Sequence, residues 1–391
     1  MDIVHGGSPR PRRGTRLSTI GLTVLLLVAT ACSSSSPPSP APAPTPQTLA
    51  QALVGARIET GAPGAAAAIV RDGTLVFEGA AGDAARSPSR SLRPESLLSL
   101  GGVTEMATAL MVLRLVEEGR VTLEDPLARY VPYVPGADRI SVRMLLAHRA
   151  GLPDYQAQSV RFDEIVYAFL DPSHRWTRDE ILKAIDPEEI DRVPGQYFFS
   201  YTDYVALGAV IEQASGMEVD AFFKQLVAAP LGLDRCLFDM DPALAPDVAH
   251  GFAFDSARSE YHSVFPADGS VPTHLWGPVW TDRGIMCTAR DAALFTDALF
   301  RGRLSRSQTL ASMTSFTTEG YGLGVARKTD SARPLYGHAG LGAGFGAVAW
   351  HDPELRLTIV ALVNADGPGL LAATVFERMD QAYAREAQPQ Q

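Results

Sequence analysis

Two apolar runs, "GAAAAIV" at 64–70 and "TLVFEGAAG" at 74–82, flank Asp72-Gly73. Asp-Gly between β-like runs predicts an antiparallel hairpin, because both residues tolerate the positive φ of a tight turn. A short helix is predicted just before it, over 48–60. The stretch 106–116 is apolar on nearly every face apart from Arg114, which predicts a helix inside a core, stopped at Gly119. A long middle section is helical and loop-rich, including "RDEILKAI" and "YVALGAVIEQASGMEVDAFFKQLVAAPLGL". Strand patterns return late, in "GYGLGVARK", "LYGHAG", "GFGAVAWHDP" and "LRLTIVALVN". Strands at both ends and helices between them predict an α+β fold, its antiparallel sheet built from both ends of the chain and flanked by helices.

The first turn of the buried helix does not suit that reading. Gly102 is a poor helix former, and Glu105 carries a carboxylate into an apolar core, which is costly without a partner.

Composition adds direction to the pattern. The 391 residues are 46% hydrophobic, enough for a large core. The formal charge is −10; Arg10, Arg12, Arg13 and Arg16 against Asp2 give residues 1–31 a net +3, leaving −13 for the rest. An acidic body argues against nucleic acid as a partner. The arginines precede "LSTIGLTVLLLVATA" and Cys32, a run of signal-peptide length whose "ATAC" ending predicts a lipoprotein-type signal (1–31) lipidated at Cys32. A Ser/Pro/Ala tether (32–47) follows, then one domain (48–384) and a disordered tail (385–391). The expected location is extracytoplasmic, anchored to the cell membrane or secreted. Cys236 and Cys287 either pair or stay as two buried thiols. The eight histidines show no metal-binding spacing, so neither metal nor cofactor is expected.

Several stretches carry a resemblance: "LVEEGRVTLEDPLARYVP", "VRMLLAHRAGLPDY", "PGQYFFSYTDYVALGAVIEQASG", "APLGL", "GIMCTARDAALF", "YGLG" and "GHAGLGAGFGA". In number and order they resemble the serine β-lactamase and penicillin-binding protein superfamily, on the branch of class C β-lactamases, D-alanyl-D-alanine carboxypeptidases and esterases. The resemblance implies acyl transfer by a Ser-x-x-Lys pair at the start of the buried helix, a Tyr-x-Asn triad, a Lys- or His-x-Gly strand and backbone oxyanion donors. Here the first motif falls on Gly102-Val103-Thr104-Glu105, so glycine stands for serine and glutamate for lysine. No Ser-x-x-Lys exists elsewhere in the chain. The triad falls on Tyr201-Thr202-Asp203 by residue type, or on Phe199-Ser200-Tyr201 by counting back from Tyr204. His338-Ala339-Gly340 keeps the His-x-Gly form, and the resemblance implies oxyanion donors at the N–H groups of Gly102 and Leu341. His148 is a family landmark at a helix end and reads as structural.

These residues leave three functions open. One is a non-catalytic binding protein for a peptide, small-molecule or cell-wall-type ligand, or for a partner protein. The second is a hydrolase of amides, esters or β-lactams in which Glu105, its pKa raised by burial, is general base toward water, with Tyr201 or His338 serving the leaving group. The third is an inert domain with Glu105 ion-paired to Arg143 or Arg149.

Overall fold

The computed structural model describes residues 46–155, 176–185, 193–239, 241–266, 269–272, 281–328, 330–331, 333–342 and 344–386. The signal and tether readings, including Cys32, lie outside these residues, as does the end of the tail. No described helix is long and apolar enough to cross a membrane.

Helix α1 (Pro46–Thr60) leads into β1 (Gly64–Arg71) and β2 (Thr74–Arg86), joined by the predicted turn with Asp72 at φ 50° and Gly73 at φ 81°. Short strands β3 (Ser89–Ser91) and β4 (Leu98–Ser99) precede α2 (Thr104–Glu117). The middle section holds α3 (Val142–Leu146), α4 (Arg178–Lys183), α5 (Tyr201–Ser215) and α6 (Val219–Phe223). After a π-helical turn (Lys224–Ala228) come α7 (Ala229–Leu231), β5 (Cys236–Leu237), and the hairpin β6 (Phe252–Asp255) and β7 (Glu260–Ser263). Strand β8 (Met286–Cys287), α8 (Ala289–Phe300) and α9 (Ser307–Met313) lead to β9 (Ala326–Lys328), β10 (Leu335–Gly342), β11 (Phe345–Asp352) and β12 (Leu357–Val363). Helix α10 (Leu371–Glu386) closes the fold and takes in Arg385 and Glu386, which corrects the expected start of the disordered tail at 385.

The main sheet has the order β3-β2-β1-β12-β11-β10-β9 and is antiparallel throughout. β1 and β12 pair from Ala65↔Val363 to Arg71↔Leu357, so the sheet unites the two ends of the domain as expected. Both faces are covered. Ala65, Ala67 and Ile69 pack with α1 and α10, while Ala66, Ala68 and Val70 share the larger core with α2, α5 and α8. That double burial is why β1 is apolar from Ala65 to Val70 instead of alternating with polar residues.

Two readings change. "GYGLGVARK" is a strand only over Ala326–Lys328. Its glycines serve close packing instead: a methyl on Gly324 (φ 74°) would lie 2.2 Å from Ala109 Cβ on α2. The open question on the cysteines closes, since Cys236 on β5 and Cys287 on β8 form a disulfide.

Candidate functional site

Strand β4 pairs with β8 and delivers the chain to a buried turn, Gly101–Val103, that runs straight into α2. Ser99 accepts the Gly101 N–H at 3.2 Å and lies 6% exposed. Thr104 points to the opposite side and accepts the Ile285 N–H at 3.3 Å. Neither hydroxyl is presented as a nucleophile, and Gly102 has no side chain.

Glu105, on the first turn of α2, is fully buried. Its Oε2 is a hub for groups from three other parts of the chain. His148 Nε2 lies at 3.0 Å, the Tyr321 hydroxyl donates at 2.9 Å, and His338 Nε2 lies at 3.3 Å. Tyr321 Oη is also 3.0 Å from His338 Nε2. On the far side of His148, Nδ1 faces both the Ser200 N–H at 3.3 Å and Asp203 Oδ2 at 3.5 Å. Aromatic rings enclose this imidazole: Phe199 at 4.3 Å, Tyr321 at 4.9 Å and Tyr204 at 5.0 Å between ring centroids. Among the described residues, Glu105 Oε1, Ser200 Oγ and both Asp203 oxygens have no hydrogen-bond partner.

The electrostatics follow from this geometry. Burial alone would raise the Glu105 carboxyl, but the charges and hydrogen bonds of His148 and His338 outweigh it and hold the group at about 2. Burial alone would lower the His148 pKa; Glu105 and Asp203 outweigh it and lift it to about 9. Asp203, dry and poorly hydrogen-bonded, is pushed up by burial to about 7 against the pull of His148. The expected raised pKa of Glu105 is therefore corrected: two imidazoles and a phenol stabilise its anion. The expected arginine partners are corrected too, since Arg143 pairs with Glu124 at 2.8 Å and Arg149 with Glu319 at 3.0 Å.

β10 carries the remaining site residues. His338 is 4% exposed and directs Nδ1 to its neighbour's carbonyl, Ala339 O, at 2.7 Å. Gly340 touches the turn backbone directly: a methyl there would lie 2.3 Å from Leu100 O and 2.5 Å from Gly102 N. A methyl on Gly101 would meet Leu341 N at 3.0 Å. The N–H groups of Gly102 and Leu341 thus belong to one seam between the turn and β10, while the Leu341 side chain is 42% exposed beside it.

The structure gathers Gly102, Ala339, Gly340 and Leu341 at this seam, with Glu105 and His338 beside it and Asp203 on the far side of His148. Tyr201 is set apart. It starts α5, half-buried, with its ring edge-on to Phe199 at 4.9 Å and the Arg283 guanidinium 5.2 Å over it. Its phenol is raised by burial and by the Glu105 charge. Phe199, and not Tyr201, contacts His148, so one alignment of the triad puts Asp203 beside the cluster and the other puts Phe199 and Ser200 there. Sequence reasoning missed His148 and Tyr321 as partners of Glu105. His148 has φ 53° and Tyr321 opens the "YGLG" stretch, but neither feature names a partner. Among the described residues no group of three or more His, Cys, Asp or Glu is arranged to hold a metal ion.

The sequence pattern of the Beta-lactamase family matches residues 48–384. The chain belongs to the β-lactamase family. Within it, the chain is 27% identical over 313 residues to a D-aminopeptidase of Brucella anthropi, covering 78% of this chain and 56% of that protein. It is 30% identical over 183 residues to esterase EstB of Burkholderia gladioli, covering 45% and 47%. The chain thus spans about half the length of these curated relatives. The fold is similar to D-amino acid amidase from Ochrobactrum anthropi SV3, at a TM-score of 0.70, 22% identity and 87% and 98% coverage. It is also similar to a D-stereospecific amidohydrolase from Streptomyces, at a TM-score of 0.68, 24% identity and 85% and 98% coverage.

Proposed function

We propose that this chain is an exported β-lactamase-family protein, lipid-anchored through Cys32, whose cleft binds a peptide or cell-wall-type ligand without forming an acyl-enzyme. The observation that carries the reading is the start of α2. Where relatives with Ser-x-x-Lys place nucleophile and base, this chain has a glycine and a buried carboxylate that is already committed to two imidazoles and a phenol. Acyl transfer needs an activated nucleophile within reach of its base, and the hydroxyls that flank position 102 in the chain, on Ser99 and Thr104, are engaged with backbone N–H groups. A carboxylate held at about 2 is a weak base toward water, which tells against hydrolysis through Glu105. Binding needs less. Backbone N–H groups at Gly102 and Leu341, the exposed Leu341 side chain and the edge of β10 require no side chain at position 102.

The test is intact-mass spectrometry of the purified chain after incubation with a penicillin and an activated ester, beside a thermal-shift titration with a D-alanyl-D-alanine-terminated peptide. The expected result is no adduct, no released product and a Tm that rises with peptide. An adduct or ester turnover overturns the non-catalytic part. A flat Tm across the titration overturns the ligand class.

A further inference from the structure

Position 102 is glycine for a reason that lies three residues further on. An ideal Cβ on Gly102 would sit 2.9 Å from Ala339 O and 3.4 Å from His338 Cε1 and Nδ1. Real Cβ atoms do not approach a carbonyl oxygen that closely, so a side chain at 102 requires β10 to give way. What holds the carbonyl there is His338, whose Nδ1 lies 2.7 Å from it. What holds His338 is Glu105. Tyr321 has one hydroxyl proton, and giving it to Glu105 Oε2 leaves its lone pairs facing His338 Nε2 at 3.0 Å. Nε2 therefore faces two oxygens, Tyr321 Oη and Glu105 Oε2 at 3.3 Å, while Nδ1 faces Ala339 O, so the ring bridges the Glu105–Tyr321 pair and the carbonyl.

We infer that Glu105 is a positioning residue: through His338 it latches the Ala339 carbonyl into the space where a side chain on residue 102 would begin. Glycine at 102 and glutamate at 105 are then one coupled change. A lysine at 105 replaces the carboxylate that His148 Nε2 and His338 Nε2 face with an ammonium, which unfastens the latch; a serine at 102 collides with the latched carbonyl. The inference rests on the cluster and the seam alone and is measured without ligand, so it stands or falls separately from the binding reading.

The experiment is a thermal-unfolding cycle on the full chain: natural protein, Gly102→Ala, Glu105→Gln and the double variant. Alanine is the smallest side chain, and Gly102 lies outside the positive-φ set, so the cost reports the carbonyl collision and not backbone strain. With Glu105 in place, Gly102→Ala is expected to lower Tm by roughly 5 °C, the scale of mild overpacking. In the Glu105→Gln background the same substitution is expected to cost less than about half of that, because β10 is free to shift. Equal losses in the two backgrounds overturn the latch. Should Glu105→Gln not fold, His338→Asn takes its place in the cycle, since it removes Nε2 and cuts the tie to Glu105. Hydrogen exchange gives a second reading: amides of 338–342 are expected to exchange at least about tenfold faster in Glu105→Gln, with α10 unchanged. No change at 338–342 counts against the latch as directly as additivity does.

Discussion

Glu105 shows how one residue can invert its ordinary behaviour without leaving the core. Its carboxylate is buried where a carboxyl would normally become neutral, yet it stays charged because donors from the 148 loop, the 321 loop and β10 converge on Oε2. Such an arrangement is asymmetric in energy: removing one partner of a buried pair leaves the other uncompensated and costs roughly 3–5 kcal/mol. Glu105→Ala is expected to lose about that much in a denaturant melt. The pH dependence has a definite sign. Glu105 is lowered from 4.5 to about 2, so its contribution is present above pH 4.5 and fades as pH falls toward 2. His148 is raised from 6.5 to about 9, so its contribution is present below pH 6.5 and is lost as pH rises through about 9. Asp203 is raised from 3.8 to about 7, which favours the folded state as pH falls through 7. Stability is therefore expected to peak between about pH 4.5 and 6.5. A pH series of Tm values checks this, and a natural-protein optimum above pH 8 would contradict it.

At the scale of elements, the site depends on two contacts between short pieces of chain. The first is the seam of β10 on the turn before α2, where backbone meets backbone at Gly340. Gly340→Ala would place a methyl against Leu100 O and Gly102 N, neither of which is a flexible side-chain end. A loss of roughly 3 kcal/mol or more is expected, read as a shift in the denaturation midpoint. The second is the link between β5 and β8, whose Cys236–Cys287 disulfide ties together residues 51 apart in sequence. β8 in turn holds β4, the strand that leads into the turn. By loop-closure entropy the cross-link stabilises by about 4 kcal/mol, with measured bridges often giving less. Reduction, or replacement of both cysteines by serine, should lower the melting point in a calorimeter while leaving the fold intact.

On the whole-molecule scale, the two ends of the domain depend on each other. β1 from the start pairs with β12 from the end, and α10 covers the face of β1 that carries Ala65, Ala67 and Ile69. Ala372, Val375, Phe376, Met379 and Tyr383 of α10 are all buried there. At roughly 1.5–3 kcal/mol for each larger apolar side chain, their loss is comparable to the whole stability of a typical domain, about 5–15 kcal/mol. A chain ending at residue 370 is expected to be insoluble or unfolded, by circular dichroism and limited proteolysis. A folded, soluble truncation would show that the sheet holds without its second cover.

Much of this was legible in the residues. The Asp72-Gly73 hairpin, the buried helix after Glu105 and the last three strands follow from local periodicity, because an apolar run of given length and turn chemistry has few ways to fold. Gly102 and Glu105 stood out in sequence for the same reason: each violates a local rule. What resolved Glu105 was tertiary. Its partners lie 43, 216 and 233 residues away along the chain, at His148, Tyr321 and His338, and no spacing rule reaches that far. Read by itself, the sequence determined that a buried acid wants a partner, and it pointed to either a raised pKa or an arginine. Only the packing of three distant segments onto the first turn of α2 could decide that the partners are imidazoles and a phenol, because a charge in a core is governed by what surrounds it in space.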